Sequence, residues 1–236
     1  MEFSTRFISA THKFNTYFEH VAAPLFRKTF EIKKELKSTE ITICGLGFYK
    51  LYINGKDITN GMLAPYISNP DHIIYYDNYD IAPLLKDGEN VIGVMLGNGM
   101  QNAPGGIIWE FDKAKWRSSP KLALSLEGEY ADGEVFSFEA DESFKVSDSP
   151  IWFDDLRSGT FYNALKEQNG WNKPGFDDSE WGNWSGRRDT ATLSVRVTLQ
   201  PGETRAIRFA VGWYYPVCDC YWSPVKDDEA CPKTWK

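Results

Sequence analysis

The run from Leu46 to Asn102 constrains the fold more than any other part of this chain. It reads LGFYKLYINGKDITNGMLAPYISNPDHIIYYDNYDIAPLLKDGENVIGVMLGNGMQN. Apolar and polar side chains alternate through FYKLYI, which sends one set to each face of a strand. Asn54-Gly55 then marks a two-residue hairpin, because both residue types tolerate the positive φ that such a turn requires. The segment 73–79 is aromatic and β-branched and reads as a strand. The segment 90–96, NVIGVML, is almost continuously apolar and reads as a central strand buried on both faces. Pro83 removes a ladder donor, so 81–85 reads as a turn of helix or an irregular edge. The run has no helical period, and it closes in the polar loop Gly97-Asn98-Gly99.

The pattern continues on both sides. Strands are expected at 25–32, 40–45, 121–127, 135–139, 144–147 and 151–153, with a last pair at 192–199 and 206–213. Residues 1–23 lack a clean period and read as a lead-in. Residues 98–119 form a long loop carrying Trp109 and Trp116; loops of that length in compact domains are usually functional. Ten to twelve short strands with closely spaced turn signals predict an all-β fold, a jelly-roll β-sandwich of galactose-binding-like type with additional C-terminal strands. The sandwich is expected over 24–185, and 186–236 reads as a strand pair with a Cys-containing tail.

Composition narrows the function classes. The chain has 236 residues, 42% of them hydrophobic and 25% charged, which supports a sizeable core and argues against disorder. A net charge of −7 without a basic run argues against nucleic acid. No window is apolar enough for a bilayer-spanning helix. The N-terminus lacks the charged start and apolar run of a secretory signal, so the expectation is a cytoplasmic location or a piece cut from a longer precursor. Aromatics make up 15% of the chain; they suit half-buried strands and also the C–H face of a pyranose. Cys44 lies in an apolar strand and reads as a buried thiol. Cys218, Cys220 and Cys231 lack the paired Cys-x-x-Cys or His spacing of a zinc site, which leaves a disulfide and free thiols open.

Catalytic chemistry has few candidates. Glycoside cleavage uses two carboxyl groups about 5–10 Å apart. Asp154, Asp155, Asp177, Asp178 and Glu180 are available, but Asp177-Asp178-Ser179 has the form of a turn or cap. Asp154 and Asp155 are placed to bond Arg157 or the turn at Ser158-Gly159. His12, His20 and His72 show neither triad nor metal spacing. A binding site is easier to build. In a jelly roll, the loops at 69–72, 97–102 and 103–110 are able to converge at one end. Asn98, Gly99, Asn102, Asp71 and Trp109 would then offer hydrogen bonds and a stacking ring to a sugar. Asp71 is also a possible oxygen ligand for calcium. The plain alternative for Asn98 is a turn held at positive φ.

Several of these motifs together resemble the N-terminal β-sandwich of bacterial family 78 α-L-rhamnosidases. They are APLFRKTFEI, FYKLYINGKDI, HIIYYDNYDIAPLLKDGENVIGVMLGNG, FDDLRSGTFYNA and GWNKPGFDDSEW, in that order, across about 24–185. The resemblance implies a module that binds or positions sugar while a separate (α/α)-barrel, absent from this sequence, carries the catalytic carboxylates. It carries Asp71 over as the foremost sugar or calcium ligand and Asn98 as its neighbour. Met100 stands where the family often has Trp, so the stacking platform is either missing or supplied by Trp109. The stretch LQPGETRAIRFAVGWYYP looks more like family 116 glucosidases. The expectation is a non-catalytic carbohydrate-binding or accessory module with a rhamnose-containing or other plant or microbial glycan as partner. A glycosidase working through Asp154 and Asp155 and a purely structural sandwich are the alternatives.

Overall fold

Wherever apolar and polar residues alternate, the chain is extended and paired. The computed structural model describes residues 6–16, 19–103, 113–183 and 200–206. Among the described residues the strands are β1 (Pro24–Ile32), β2 (Leu36–Leu46), β3 (Phe48–Ile53), β4 (Lys56–Asp57), β5 (Asp77–Asp80) and β6 (Gly88–Gly97). They continue with β7 (Lys121–Tyr130), β8 (Val135–Glu139), β9 (Lys145–Asp148), β10 (Ile151–Asp155), β11 (Gly159–Tyr162) and β12 (Gly182–Asn183). A 3-10 turn at Ala82–Leu84 carries Pro83, as the sequence predicts for a residue without an N–H.

Two antiparallel sheets make a β-sandwich. One has the order β12-β9-β1-β6-β3-β4 and the other β5-β2-β7-β8, while β10 and β11 form a separate hairpin. Sequence-distant strands lie side by side, β1 with β6 and β2 with β7, in the nested manner of a jelly roll. Side chains of alternate parity fill the space between the sheets. Ile41, Ile43, Leu124 and Leu126 come from one, and Phe26, Leu51, Ile92 and Val94 from the other. The hairpin β3–β4 turns on Asn54 at φ 52° and Gly55 at φ 86°, as its sequence predicts.

β6 is buried on both faces, and the second face has a specific cover. The segment GWNKPGFDDSEW lies across the outside of β1, β6 and β3. A Cβ at Gly93 would stand 2.8 Å from the Trp171 ring, so glycine makes room for the indole. Trp171 stacks on Trp181 with ring centres 6.1 Å apart and meets Tyr52 edge-on at 5.6 Å. Arg27, only 2% exposed, reaches Asp178 at 3.4 Å. Asp177 accepts the Ser179 N–H at 3.0 Å. Asp177 therefore holds a turn, as the sequence suggested, while Asp178 anchors Arg27, which the sequence did not indicate.

Two expectations change. Ile73, Ile74, Tyr75 and Tyr76 are not in a strand; β5 begins at Asp77, and these four side chains are exposed. The lead-in is also tied into the fold. Ile8 is 2% exposed and pairs with Leu122, and the Ser9 hydroxyl donates to the Pro120 carbonyl at 2.8 Å. The chain divides into two units at Thr192 and Leu193. Within the second, the described residues form a turn in which the Glu203 N–H donates to the Gln200 carbonyl at 2.9 Å. The strands expected at 192–199 and 206–213 lie essentially outside the described residues, as do Cys218, Cys220 and Cys231.

Cys44 sits fully buried in β2. Burial, with the nearby Asp77 charge adding to it, pushes its thiol up to about 12. The thiolate is the reactive species. Cys44 should therefore resist iodoacetamide in mildly alkaline buffer while the protein is folded and label readily in urea, as read by peptide mapping. Labelling of Cys44 in the native protein at the unfolded rate would contradict this burial.

Candidate functional site

Glycines draw two chain reversals together at one end of the sandwich. Gly47, between β2 and β3, has φ +125°, and a Cβ there would lie 2.2 Å from the Gly97 carbonyl oxygen. Gly99 has φ +52°, and its missing Cβ leaves room for the Phe48 ring at 3.1 Å. The positive φ of the Gly97-Asn98-Gly99 loop thus falls on Gly99 rather than Asn98. Next to this contact is a shallow groove of about 40 Å³, open to solvent. Tyr66, Ile67, Ser68, Pro70, Ile74 and Tyr75 line it from the loop between β4 and β5. Met100, Gln101 and Trp116 line it from the segments after β6 and before β7. No described Asp, Glu, Lys, Arg or His is among its lining residues.

Of the three loops that the sequence expected to converge, 69–72 and 97–102 both reach this groove, through Pro70 and Met100, while 104–110 lies outside the described residues. The expected side chains have different surroundings. Asn98 and Asn102 are fully buried. The Asn98 side-chain amide donates to Asp154 Oδ1 at 2.7 Å and to the Val21 carbonyl at 2.8 Å. Its carbonyl oxygen accepts from Asn102 Nδ2 at 2.7 Å. Asn102 Oδ1 in turn accepts the Asn15 N–H at 3.0 Å, and Asn15 Oδ1 accepts the Val21 N–H at 2.5 Å. This network staples the lead-in to the end of β6.

Asp154 belongs to the same network. Its Oδ2 accepts the backbone N–H groups of Asn98 at 2.7 Å and Gly99 at 3.4 Å. A Cβ at Gly97 would come within 2.9 Å of that oxygen. Burial raises the Asp154 carboxyl above its ordinary value, and the Asn98 and Gly99 bonds pull it back. Asp155 Oδ1 accepts the N–H groups of Arg157 at 2.9 Å and Ser158 at 2.7 Å. The two residues are consecutive in β10, so their side chains leave opposite faces. That arrangement supplies turn and network acceptors, not a carboxyl pair facing one cleft.

Asp71 is exposed, and its N–H donates to Asn69 Oδ1 at 3.0 Å in a local turn. Calcium takes six to eight oxygen ligands. Among the described residues no three His, Cys, Asp or Glu side chains group together around Asp71 or elsewhere. Trp109 lies outside the described residues. Trp116, from the same long loop, is held by its own carbonyl, which accepts from Gln101 Nε2 at 2.6 Å.

Sequence reasoning overlooked the rings of Tyr66, Tyr75 and Trp116. The available signal was the unalternated apolar run IIYY and the single tyrosine of MLAPYISN. Such residues have no core face to occupy in a loop, and Tyr66 is indeed 82% exposed.

Comparisons with known proteins place the chain. Residues 34–215 match the family model of the alpha-L-rhamnosidase N-terminal domain. That span takes in most of LQPGETRAIRFAVGWYYP, the stretch that looked like family 116. An alpha-L-rhamnosidase of Formosa agariphila is 37% identical over 165 residues, covering 68% of this chain and 17% of the relative. The alpha-L-rhamnosidase structure from Dictyoglumus thermophilum superimposes with a TM-score of 0.67 at 34% identity, over 77% of this chain and 20% of that one. The Streptomyces avermitilis alpha-L-rhamnosidase complexed with L-rhamnose gives 0.65 at 28% identity, over 71% and 16%. The chain thus spans about a fifth or less of the length of these relatives. With its sandwich, its nested strand order and the matched span, it belongs to the family of alpha-L-rhamnosidase N-terminal domains.

Proposed function

We propose that this domain is a non-catalytic accessory module that holds a neutral sugar, rhamnose or a rhamnose-containing glycan, in the groove at the end of its sandwich. The observation that carries this reading is the lining. Exposed rings of Tyr66 and Tyr75 stand with Trp116 around an open groove that bears few polar groups and no described charge. Ligand pockets are commonly apolar with a small number of placed polar groups. An aromatic face suits the C–H face of a pyranose, and Ser68 and Gln101 bring polar atoms to the same groove. Where the module is tethered to a catalytic region, holding the glycan raises its effective concentration there. Asp154, Asp155, Asp177 and Asp178 are engaged in the Asn98 network, in turns and with Arg27, which favours binding over cleavage.

Calorimetry with methyl α-L-rhamnoside tests this directly. Binding on the order of 1 mM is expected. Trp116→Ala should weaken it roughly tenfold, the factor that about 1.4 kcal/mol carries. A uronic acid should give no heat, because no described cation lines the groove to meet its carboxylate. Binding lost with a chelator, restored by calcium and abolished by Asp71→Ala would instead assign Asp71 the calcium role that the resemblance implies. Hydrolysis of a nitrophenyl glycoside by the purified chain, lost in Asp154→Asn, would overturn the non-catalytic reading.

A second reading rests on the β10–β11 hairpin. Trp152 and Phe161 stack there at 5.3 Å and are 42% and 50% exposed. Exposed apolar surface of this kind marks interaction faces. An accessory domain that only packs on a neighbour would show this hairpin and no sugar heat.

A further inference from the structure

Four Asn-Gly pairs occur in this chain, at 54–55, 60–61, 98–99 and 169–170. This dipeptide is chemically labile, because glycine leaves its backbone nitrogen open to approach the preceding side chain. The Gly nitrogen attacks Cγ of the Asn, a C–N bond forms, and the side-chain nitrogen leaves as ammonia together with the proton from the Gly N–H. Water then opens the resulting succinimide at either carbonyl, leaving aspartate or isoaspartate. The reaction needs a mobile side-chain amide and room for the backbone to rotate.

The fold separates the four pairs sharply. At Asn54, Nδ2 donates to the Leu84 carbonyl at 3.0 Å and to Asn90 Oδ1 at 2.8 Å, while Oδ1 accepts the Val91 N–H at 2.9 Å. At Asn98, which is fully buried, three hydrogen bonds hold the amide as described above. Asn60 and Asn169 are exposed, and among the described residues no hydrogen bond holds their side-chain amides. Gly61 and Gly170 lie at φ +83°, and nothing stands within 4 Å of where a Cβ would be. Asn60 also opens the segment that leads to the groove, and its N–H donates to the Tyr79 hydroxyl at 3.1 Å.

We propose that Asn60 and Asn169 are sites of spontaneous modification to aspartate and isoaspartate in the folded protein, and that Asn54 and Asn98 are shielded by their hydrogen bonds. Each event adds a negative charge. At Asn60 the isoaspartate product also lengthens the backbone by one methylene at the root of the groove loop. Each hydrogen bond that must open first slows the reaction roughly fivefold. Three of them place Asn54 and Asn98 roughly a hundredfold below Asn60.

The test is incubation of the full chain in mildly alkaline buffer, with peptide mapping by mass spectrometry and enzymatic detection of isoaspartate. The expected result is conversion at positions 60 and 169 with 54 and 98 intact. In urea all four should convert at similar rates, which removes any effect of flanking sequence. Conversion of Asn54 or Asn98 in the folded protein at the rate of Asn60 would overturn the proposal. So would an Asn60 as slow as Asn54.

Discussion

Replacing Asp154 with alanine is expected to remove about 3 kcal/mol of stability, read from the midpoint of urea unfolding. The carboxylate accepts two hydrogen bonds from Asn98 and a longer one from the Gly99 N–H. Its removal leaves donors of a loop packed under the lead-in without partners, and each such group costs about 1–3 kcal/mol. Asp154→Asn should fall between the two proteins, because one carbonyl oxygen remains while the new NH₂ faces other N–H groups. The pH dependence has a definite sign. Burial raises the folded carboxyl above its ordinary 3.8. A raised folded value means that the contribution of Asp154 is complete below the ordinary value and is lost as pH rises through the folded one. The stability gap between the wild-type chain and Asp154→Asn should therefore be larger in acid than at neutral pH. A gap that widens with rising pH would show that the hydrogen bonds outweigh burial at this carboxyl.

Gly47→Ala is expected to be the most damaging single methyl in the described chain, at about 4 kcal/mol. Its Cβ would lie 2.2 Å from the Gly97 carbonyl oxygen, and both partners are backbone. Neither is able to move aside as a flexible side chain would. The φ of +125° adds strain of its own for any residue with a Cβ. Gly133→Ala supplies the control. Gly133 has φ +87° with nothing within 4 Å of a Cβ, so its cost is strain alone, about 1 kcal/mol. Thermal or urea unfolding of the two variants separates steric overlap from backbone strain. Equal losses would mean that β2–β3 and the end of β6 are not in backbone contact. Because this contact adjoins the groove, Gly47→Ala should also disturb ligand binding, which Gly133→Ala should leave intact.

Much of this fold was legible before the coordinates. The alternation of FYKLYI, the Asn54-Gly55 turn and the continuous apolar run of β6 each carry a local physical signal. The structure supplies partners that the sequence did not name: Val94 opposite Leu51, and Trp171 against Gly93 on the far face. The lead-in was not legible. Ile8 is fixed by one isolated bridge, and Asn15 by side-chain bonds to residues far along the chain, so neither leaves a period. The run 73–76 was misread because β-branched and aromatic residues signal a strand whether or not a partner exists. Here pairing with β2 begins only at Asp77, opposite Ile43.

The approach of two of the expected loops was legible, and the surroundings of their side chains were not. The loops around Pro70 and Gly99 do gather at one end of the sandwich. Yet Asn98 reads as a ligand-binding residue only when its partner is unseen. Asp154 lies 56 positions away, and no spacing rule connects them. Gly97-Asn98-Gly99 is better understood as a socket for that carboxylate. It fixes the turn from which Met100 and Gln101 reach the groove. The rings that the account assigns to ligand, Tyr66, Tyr75 and Trp116, come from segments whose proximity is set by tertiary structure.

The central claim is that a neutral sugar occupies this groove. Amide chemical-shift mapping during titration with methyl α-L-rhamnoside tests it most directly. The account predicts saturable shifts concentrated at Tyr66–Ser68, Tyr75, Gln101 and Trp116, with the β10–β11 hairpin silent. Shifts confined to the hairpin, or none anywhere at saturating sugar, would contradict it.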